Sequence, residues 1–236
     1  MIPKSFARRT QAGLPADPLA ELLEIGRAAF APLADFPETQ AFWWPRFERV
    51  ARFYVDWERR RRAGLAAVHA ELAGKIEIAT GERAFTLSAR ADRIEQVGPD
   101  TYALIDFKTG QAATAKQVQA GLAPQLTLEA AVLQRGGFAE IAAGARVEAL
   151  GYVLIRGGEP AGEELTLRFK DSDAEAEAAR AYAKLCELVR RFDDEATPYR
   201  SLQHPMWRTR YGDYDHLARV KEWSDGGDLA DAEGAA

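Results

Sequence analysis

The sequence predicts a mixed α/β domain, with a central sheet of about five strands flanked by helices and a helical pair at its N-terminus. Three observations predict it. Extended runs bounded by turn residues crowd together between residues 73 and 109, as in an antiparallel meander. A further run, Arg146 to Ile155, is largely apolar, which suits a strand covered on both faces. Segments with helical spacing precede, separate and follow these runs.

Taken in order, residues 1–16 carry Pro3, Gly13 and Pro15 and read as irregular. Asp17-Pro18 is a good helix start, with a capping carboxylate followed by proline in the first turn. Leu19, Leu22, Leu23 and Phe30 then recur at helical spacing until Pro32 and Pro37 interrupt them. Pro45 is expected to open a second, longer helix that runs to about Gly64, with Phe47, Val50, Tyr54 and Trp57 on one face. Trp43 and Trp44 stand just before it and read as core aromatics. The cluster Arg59, Arg60, Arg61 and Arg62 ends this helix. It complements the helix dipole, and a contact with a nucleic-acid backbone is the sharper reading.

The runs Ala73–Ala79 and Phe85–Gln96 flank Thr80-Gly81-Glu82-Arg83, a hairpin loop. In the second run Phe85, Leu87 and Ala89 share one face, and Thr86, Ser88, Arg90 and Asp92 the other. A third run, Tyr102–Thr109, follows the turn signal Gly98-Pro99-Asp100. Beyond it come a polar loop, a helix expected over Gln117–Arg135 and ended by Gly136-Gly137, the apolar strand Arg146–Ile155, an edge strand at Glu164–Phe169, and a helix over 173–195. That helix carries a Tyr182, Leu185, Val189, Phe192 stripe and the lone Cys186, both read as packing. The tail from Pro198 is rich in aromatic and basic residues, and its small, acidic end, 225–236, reads as disordered. The expected organisation is a helical segment at 1–66 packed on a core at 67–197, with the tail at 198–236.

Composition bounds the function. The chain has 236 residues, 47% apolar and 28% charged, as in soluble globular proteins. A single cysteine excludes a disulfide framework, a cysteine-ligated zinc and an iron–sulfur cluster. With no long apolar run and no secretory leader pattern, a cytoplasmic protein is expected. A net charge of −5 argues against a passive nucleic-acid binder, but not against an enzyme with acidic metal ligands and a local basic patch.

The chemistry concentrates in Tyr102–Gly110. Alternation puts Asp106 and Lys108 on one strand face and turns Phe107 inward. Alone, the pair reads first as a salt bridge at a strand end. If the hairpin is centred on Pro99, however, Asp92 falls opposite Asp106, with Cβ atoms roughly 5 Å apart. Two carboxylates there repel by about 1–3 kcal/mol, and a divalent cation between them reverses the sign.

These residues resemble the PD-(D/E)xK nuclease signature in its RecB-like form: Asp92-Arg93-Ile94, then Asp106-Phe107-Lys108-Thr109-Gly110, then Gln125. The surroundings Phe42–Phe47, Leu87–Ile94, Ala123–Leu126 and Tyr214–Arg219 are similar to the C-terminal nuclease region of the AddB family, subunits of bacterial AddAB helicase–nucleases. The resemblance implies a restriction-endonuclease-like core and Mg²⁺-dependent hydrolysis of DNA, with Mn²⁺ as a substitute, in double-strand-break processing. DNA and an AddA-like helicase subunit are the implied partners. It implies that Asp92, Asp106 and the backbone carbonyl of Phe107 hold the metal, that Lys108 activates water and steadies the phosphate, and that Gln125 contacts the site. Arg93 joins Arg59–Arg62 as a candidate DNA contact. Glu71, Glu77 and His69 are candidate additional ligands, each with a solvated strand or surface role as its alternative.

The sequence departs from that pattern in places. Phe107 replaces a tyrosine, Glu129 stands where a Gln-x-x-x-Tyr motif has its tyrosine, and a Gly-x-x-x-His helix expected before Pro45 is absent. A catalytically impaired DNA-binding or scaffold module of the same fold, and a stand-alone RecB-like exonuclease, are therefore the alternatives.

Overall fold

The computed structural model describes residues 13–80 and 83–198. Its helices are α1 (Pro18–Phe30), α2 (Pro37–Arg62), α3 (Ala115–Gln119), α4 (Gln125–Gln134) and α5 (Ala174–Asp193), with a 3₁₀ turn at Ala31–Leu33. The strands are β1 (Ala67–Thr80), β2 (Arg83–Gly98), β3 (Thr101–Lys108), β4 (Arg146–Ile155) and β5 (Gly162–Thr166). They form one mixed sheet in the order β1-β2-β3-β4-β5. All neighbours are antiparallel except β3 and β4, which are parallel. Residues up to Arg190 form one compact unit, and a second begins at Arg191. The N-terminal helices thus belong to the same unit as the sheet, and the tail expected from residue 198 lies almost wholly outside the described residues.

Each face of the sheet carries its own core. On one side α1 and α2 pack over Ile105, Val153 and Ile155. On the other, α4, Phe138 and the start of α5 cover Ile94, Leu104, Leu150 and Tyr152. Burying this much apolar surface, at about 25 cal/mol per Å², is the main source of stability. α1 begins where the sequence predicts: Asp17 Oδ1 accepts from the Ala20 N–H at 3.0 Å, and Pro18 stands in the first turn. Gly26 permits its close approach to α2, since a Cβ there would lie 2.1 Å from the Phe47 ring.

Two helix expectations are corrected. α2 starts at Pro37 and runs through Pro45. A proline costs an interior hydrogen bond, but its ring is on the exposed side, and Trp44 and Phe47 on either side of it both pack on Phe30, at 5.6 and 5.8 Å. The segment expected as one helix over Gln117–Arg135 is two, because Gly121 has φ +81° and Pro124 precedes the new start. β1 and β2 are also longer than the predicted runs, since their pairing extends from Thr80 with Arg83 to Ala67 with Gln96.

The β2–β3 turn fixes the site. Gly98 pairs with Thr101 around Pro99-Asp100. A bulge at Val97 then shifts the register by one, so Gln96 pairs with Tyr102 and Arg93 with Ile105. One further step along both strands falls on Asp92 and Asp106.

Candidate metal and nucleic-acid site

Asp106 and Lys108 project from the end of β3 toward α4, and the Lys108 ammonium sits 2.8 Å from Asp106 Oδ2. Phe107, between them, turns the other way and packs 6.0 Å from Tyr54 and 5.8 Å from Trp57. Asp92 Oδ2 accepts the backbone N–H of Phe107 at 3.0 Å, which ties the second carboxylate to the strand carrying the first. Gln125, the first residue of α4, links the pieces. Its Nε2 donates to Asp106 Oδ1 at 2.7 Å, and its Oε1 accepts from Lys108 at 3.0 Å.

Two further groups belong to this cluster. Glu129, one turn after Gln125, is 5% exposed and accepts from Gln125 Nε2 at 3.2 Å. Tyr152 on β4 stands beside Asp106 in the parallel ladder. Sequence reading misses both as site members. The Gln125/Glu129 spacing of four on one helix is a signal for the first. The second depends on the β3–β4 register, which no local pattern reveals.

The electrostatics are those of crowded acids. Burial pushes the Asp92 carboxyl above its usual range. The Phe107 N–H opposes this, and Asp106 and Glu71 reinforce it. Glu129 is pushed up to about 7, first by burial, with Asp106 and Asp92 adding to the effect against the Gln125 hydrogen bond. The Tyr152 phenol is raised to about 12 by burial and by Asp106 and Glu129. The Lys108 ammonium opposes the upward shifts at Asp92 and Glu129.

A hard divalent cation fits this donor set. Asp106 Oδ2 is buried and makes no aligned hydrogen bond, despite the nearby ammonium. Among the described residues no group of three or more His, Cys, Asp or Glu side chains is placed to hold a metal ion. That is compatible with Mg²⁺, which is typically held by one or two carboxylates with water and phosphate oxygens completing its shell.

The structure brings Asp92, Asp106, Lys108 and Gln125 together, and places Glu71 near enough for its charge to act on Asp92. Glu77 does not join them. It pairs with Thr86, six residues or about 20 Å farther along β1 from Glu71, and is exposed. His69 is occupied elsewhere, with Nδ1 2.8 Å from Glu140 Oε2.

The arginine expectations need correction. Arg93 is no surface phosphate contact: it is 3% exposed and inserted between Glu58 and Glu95, at 2.8 and 2.7 Å. Arg61 binds Glu95 and Glu164, and Arg62 binds Glu58. Of the four consecutive arginines, Arg59 and Arg60 remain exposed.

A mixed sheet with helices on both faces and an Asp–Asp–Lys cluster at the end of a central strand define a nuclease-type core. The chain belongs to the PD-(D/E)XK nuclease superfamily, whose family profile matches residues 4–211. It is similar to an uncharacterized protein of Rickettsia typhi, 25% identical over 122 residues, which are 52% of this chain and 14% of that protein. A Rickettsia bellii protein, also uncharacterized, is 25% identical over 100 residues, 42% of this chain and 12% of its own length. The matched stretch thus spans about one-seventh of the length of these curated relatives or less. Among solved structures, that of SSO0001 is similar at 14% identity with a TM-score of 0.33, covering 78% of this chain and 82% of the other.

Proposed function

We propose that the chain is a Mg²⁺-dependent deoxyribonuclease module that hydrolyses phosphodiester bonds during double-strand-break processing. The observation that supports this best is the meeting of Asp92 and Asp106 at adjacent strand positions, beside Lys108 and with Gln125 bridging Asp106 and Lys108. Asp92, Asp106 and the Phe107 carbonyl would hold the cation. Bound there, the cation would supply a lowered water pKa and neutralise charge on the phosphate. Lys108, fixed by Asp106 and Gln125, would meet a non-bridging phosphate oxygen and orient the attacking water. Gln125 would hold the Asp106 and Lys108 side chains in register. The similarity of the flanking motifs to AddB nuclease regions supports a place in a helicase–nuclease with an AddA-like partner.

The test is cleavage of linear DNA with Mg²⁺ or Mn²⁺ by the wild type and by Asp106→Asn and Lys108→Met variants. The reading requires cleavage that both substitutions abolish. Equal background rates in all three would leave a DNA-binding or scaffold module.

A further inference from the structure

The face of β2 opposite the acidic site holds a second ionic cluster, and its centre is the more deeply buried of the two. Arg93 and Glu95 alternate with Asp92 and Ile94 along the strand, so their side chains point toward α2. Glu58 and Glu95 are both fully buried, and Arg93 joins them to each other. The Arg93 guanidinium also lies 4.9 Å from the Trp57 ring. Arg61 carries the network on to Glu164 of β5 at 2.7 Å, and Trp57 Nε1 donates to the same carboxylate at 2.7 Å. The cluster thus ties β2 to α2 and to the far edge of the sheet.

What makes this relevant to the site is the backbone at Asp92. On one side the β1 ladder pairs Ala70 with Arg93 and Leu72 with Ala91, stepping over Glu71, whose φ is +54°, and over Asp92. On the other side the β2–β3 pairing ends at Arg93 with Ile105. Arg93 is therefore the last residue at which β2 is laddered to both neighbours, and Asp92 sits just beyond it. We propose that Arg93 is a positioning residue: clamped beneath the sheet by Glu58 and Glu95, it fixes Asp92 on the upper face against the Phe107 N–H and beside Asp106. The metal role of Asp92 rests on the function proposed above, whereas its contact with Phe107 does not.

The test uses the full chain with Arg93→Met and Glu58→Met combined. This removes a buried charge pair together, which generally preserves stability, instead of orphaning one partner. Glu95 keeps Arg61, and Arg62 is near enough to the surface to be solvated. The expected result is a thermal midpoint within a few degrees of wild type, faster hydrogen exchange at the Phe107 amide, and Mn²⁺ binding about 10- to 100-fold weaker. Unchanged Phe107 exchange and unchanged Mn²⁺ affinity in a stable variant would overturn the proposal and leave the clamp a purely structural brace. If the double variant does not fold, Arg93→Lys serves: it keeps the charge but loses the fork that reaches both carboxylates. The same two readouts then decide. A wild type that binds no Mn²⁺ would sink the metal reading, while the Phe107 exchange would still decide the clamp.

Discussion

The two faces of β2 and β3 both bury ionisable groups but balance them oppositely. Toward α2, the carboxylates of Glu58, Glu95 and Glu164 meet the guanidinium groups of Arg61, Arg62 and Arg93. Burial opposes the charge on Arg93, yet Glu58 and Glu95 more than offset that and hold its pKa above the usual range. Toward α4, Asp92, Asp106 and Glu129 share Lys108, and Asp92 and Glu129 are driven toward their neutral forms. A balanced cluster has its charges paired within the protein, even though Glu58 Oε2 and one terminal nitrogen each of Arg62 and Arg93 make no aligned hydrogen bond. An unbalanced one is stable only if its acids hold protons or a cation, which is the signature expected of a binding site.

This contrast can be broken most forcefully through activity. Asp106→Asn should lower metal-dependent DNA cleavage by at least about 100-fold, since even outer-shell changes at metal sites reach that size. On the balanced face, Glu95→Ala should act chiefly on stability, with any loss of cleavage in the folded variant running through the Arg93 clamp. It takes from the buried Arg93 one of its two carboxylate partners while Glu58 stays at 2.8 Å, at a cost of about 1.5–3 kcal/mol in urea denaturation. If the two substitutions affected stability alike, the distinction between the faces would fail.

Glu129 gives the contrast a sign that depends on pH. Its carboxyl ordinarily titrates at 4.5 and in the folded protein at about 7. The fold therefore binds this proton more tightly than the unfolded chain does. Below about pH 4.5 both states are protonated and nothing is lost. As pH rises through 4.5 to 7, stability falls, by up to about 3 kcal/mol above pH 7. Glu129→Gln should remove that loss, so the variant should be the more stable at pH 8 and close to wild type at pH 4.5. Urea midpoints at the two pH values would check this, and a variant less stable at pH 8 would contradict it. Mn²⁺ at about a hundred times its Kd should stabilise the wild type by roughly 2.7 kcal/mol, with a smaller gain for Asp92→Asn. Thermal scans with and without the ion measure both.

The acidic face was the more legible of the two in the sequence. Alternation placed Asp106 beside Lys108, and a short hairpin with clear turn residues placed Asp92 next to Asp106. The Val97 bulge even kept the expected register, although the turn is Pro99-Asp100. These relations are local. Tyr152 lies more than forty residues from Asp106 across a parallel crossover, and no nearby pattern encodes that distance. The balanced face was misread for the same reason. Arg93 looks like an outward-facing strand residue until Glu58, thirty-five positions earlier, is folded beneath it. Pro45 shows tertiary packing overriding a local rule, because the Trp44 and Phe47 contacts with Phe30 hold the helix on both sides of it. By contrast Gly121 and Pro124 obeyed their local chemistry and split a helix in two.

The smallest effects should come from the first two residues of the arginine run, which neither face uses. Arg59 makes a long 3.7 Å contact with Asp56, both side chains being more than half exposed, and Arg60 is also exposed. Exposed pairs of this kind contribute little, so Arg59→Ala and Arg60→Ala should each change stability by less than about 0.5 kcal/mol. Their charge can still reach a phosphate. In DNA binding titrated against salt, each substitution should reduce the slope of log K on log salt by about one if that arginine contacts the backbone. An unchanged slope in both would exclude these two exposed arginines from the DNA contact. A reduced slope with unchanged stability would instead mark the end of α2 as a DNA-binding surface separate from the buried clamp beside it.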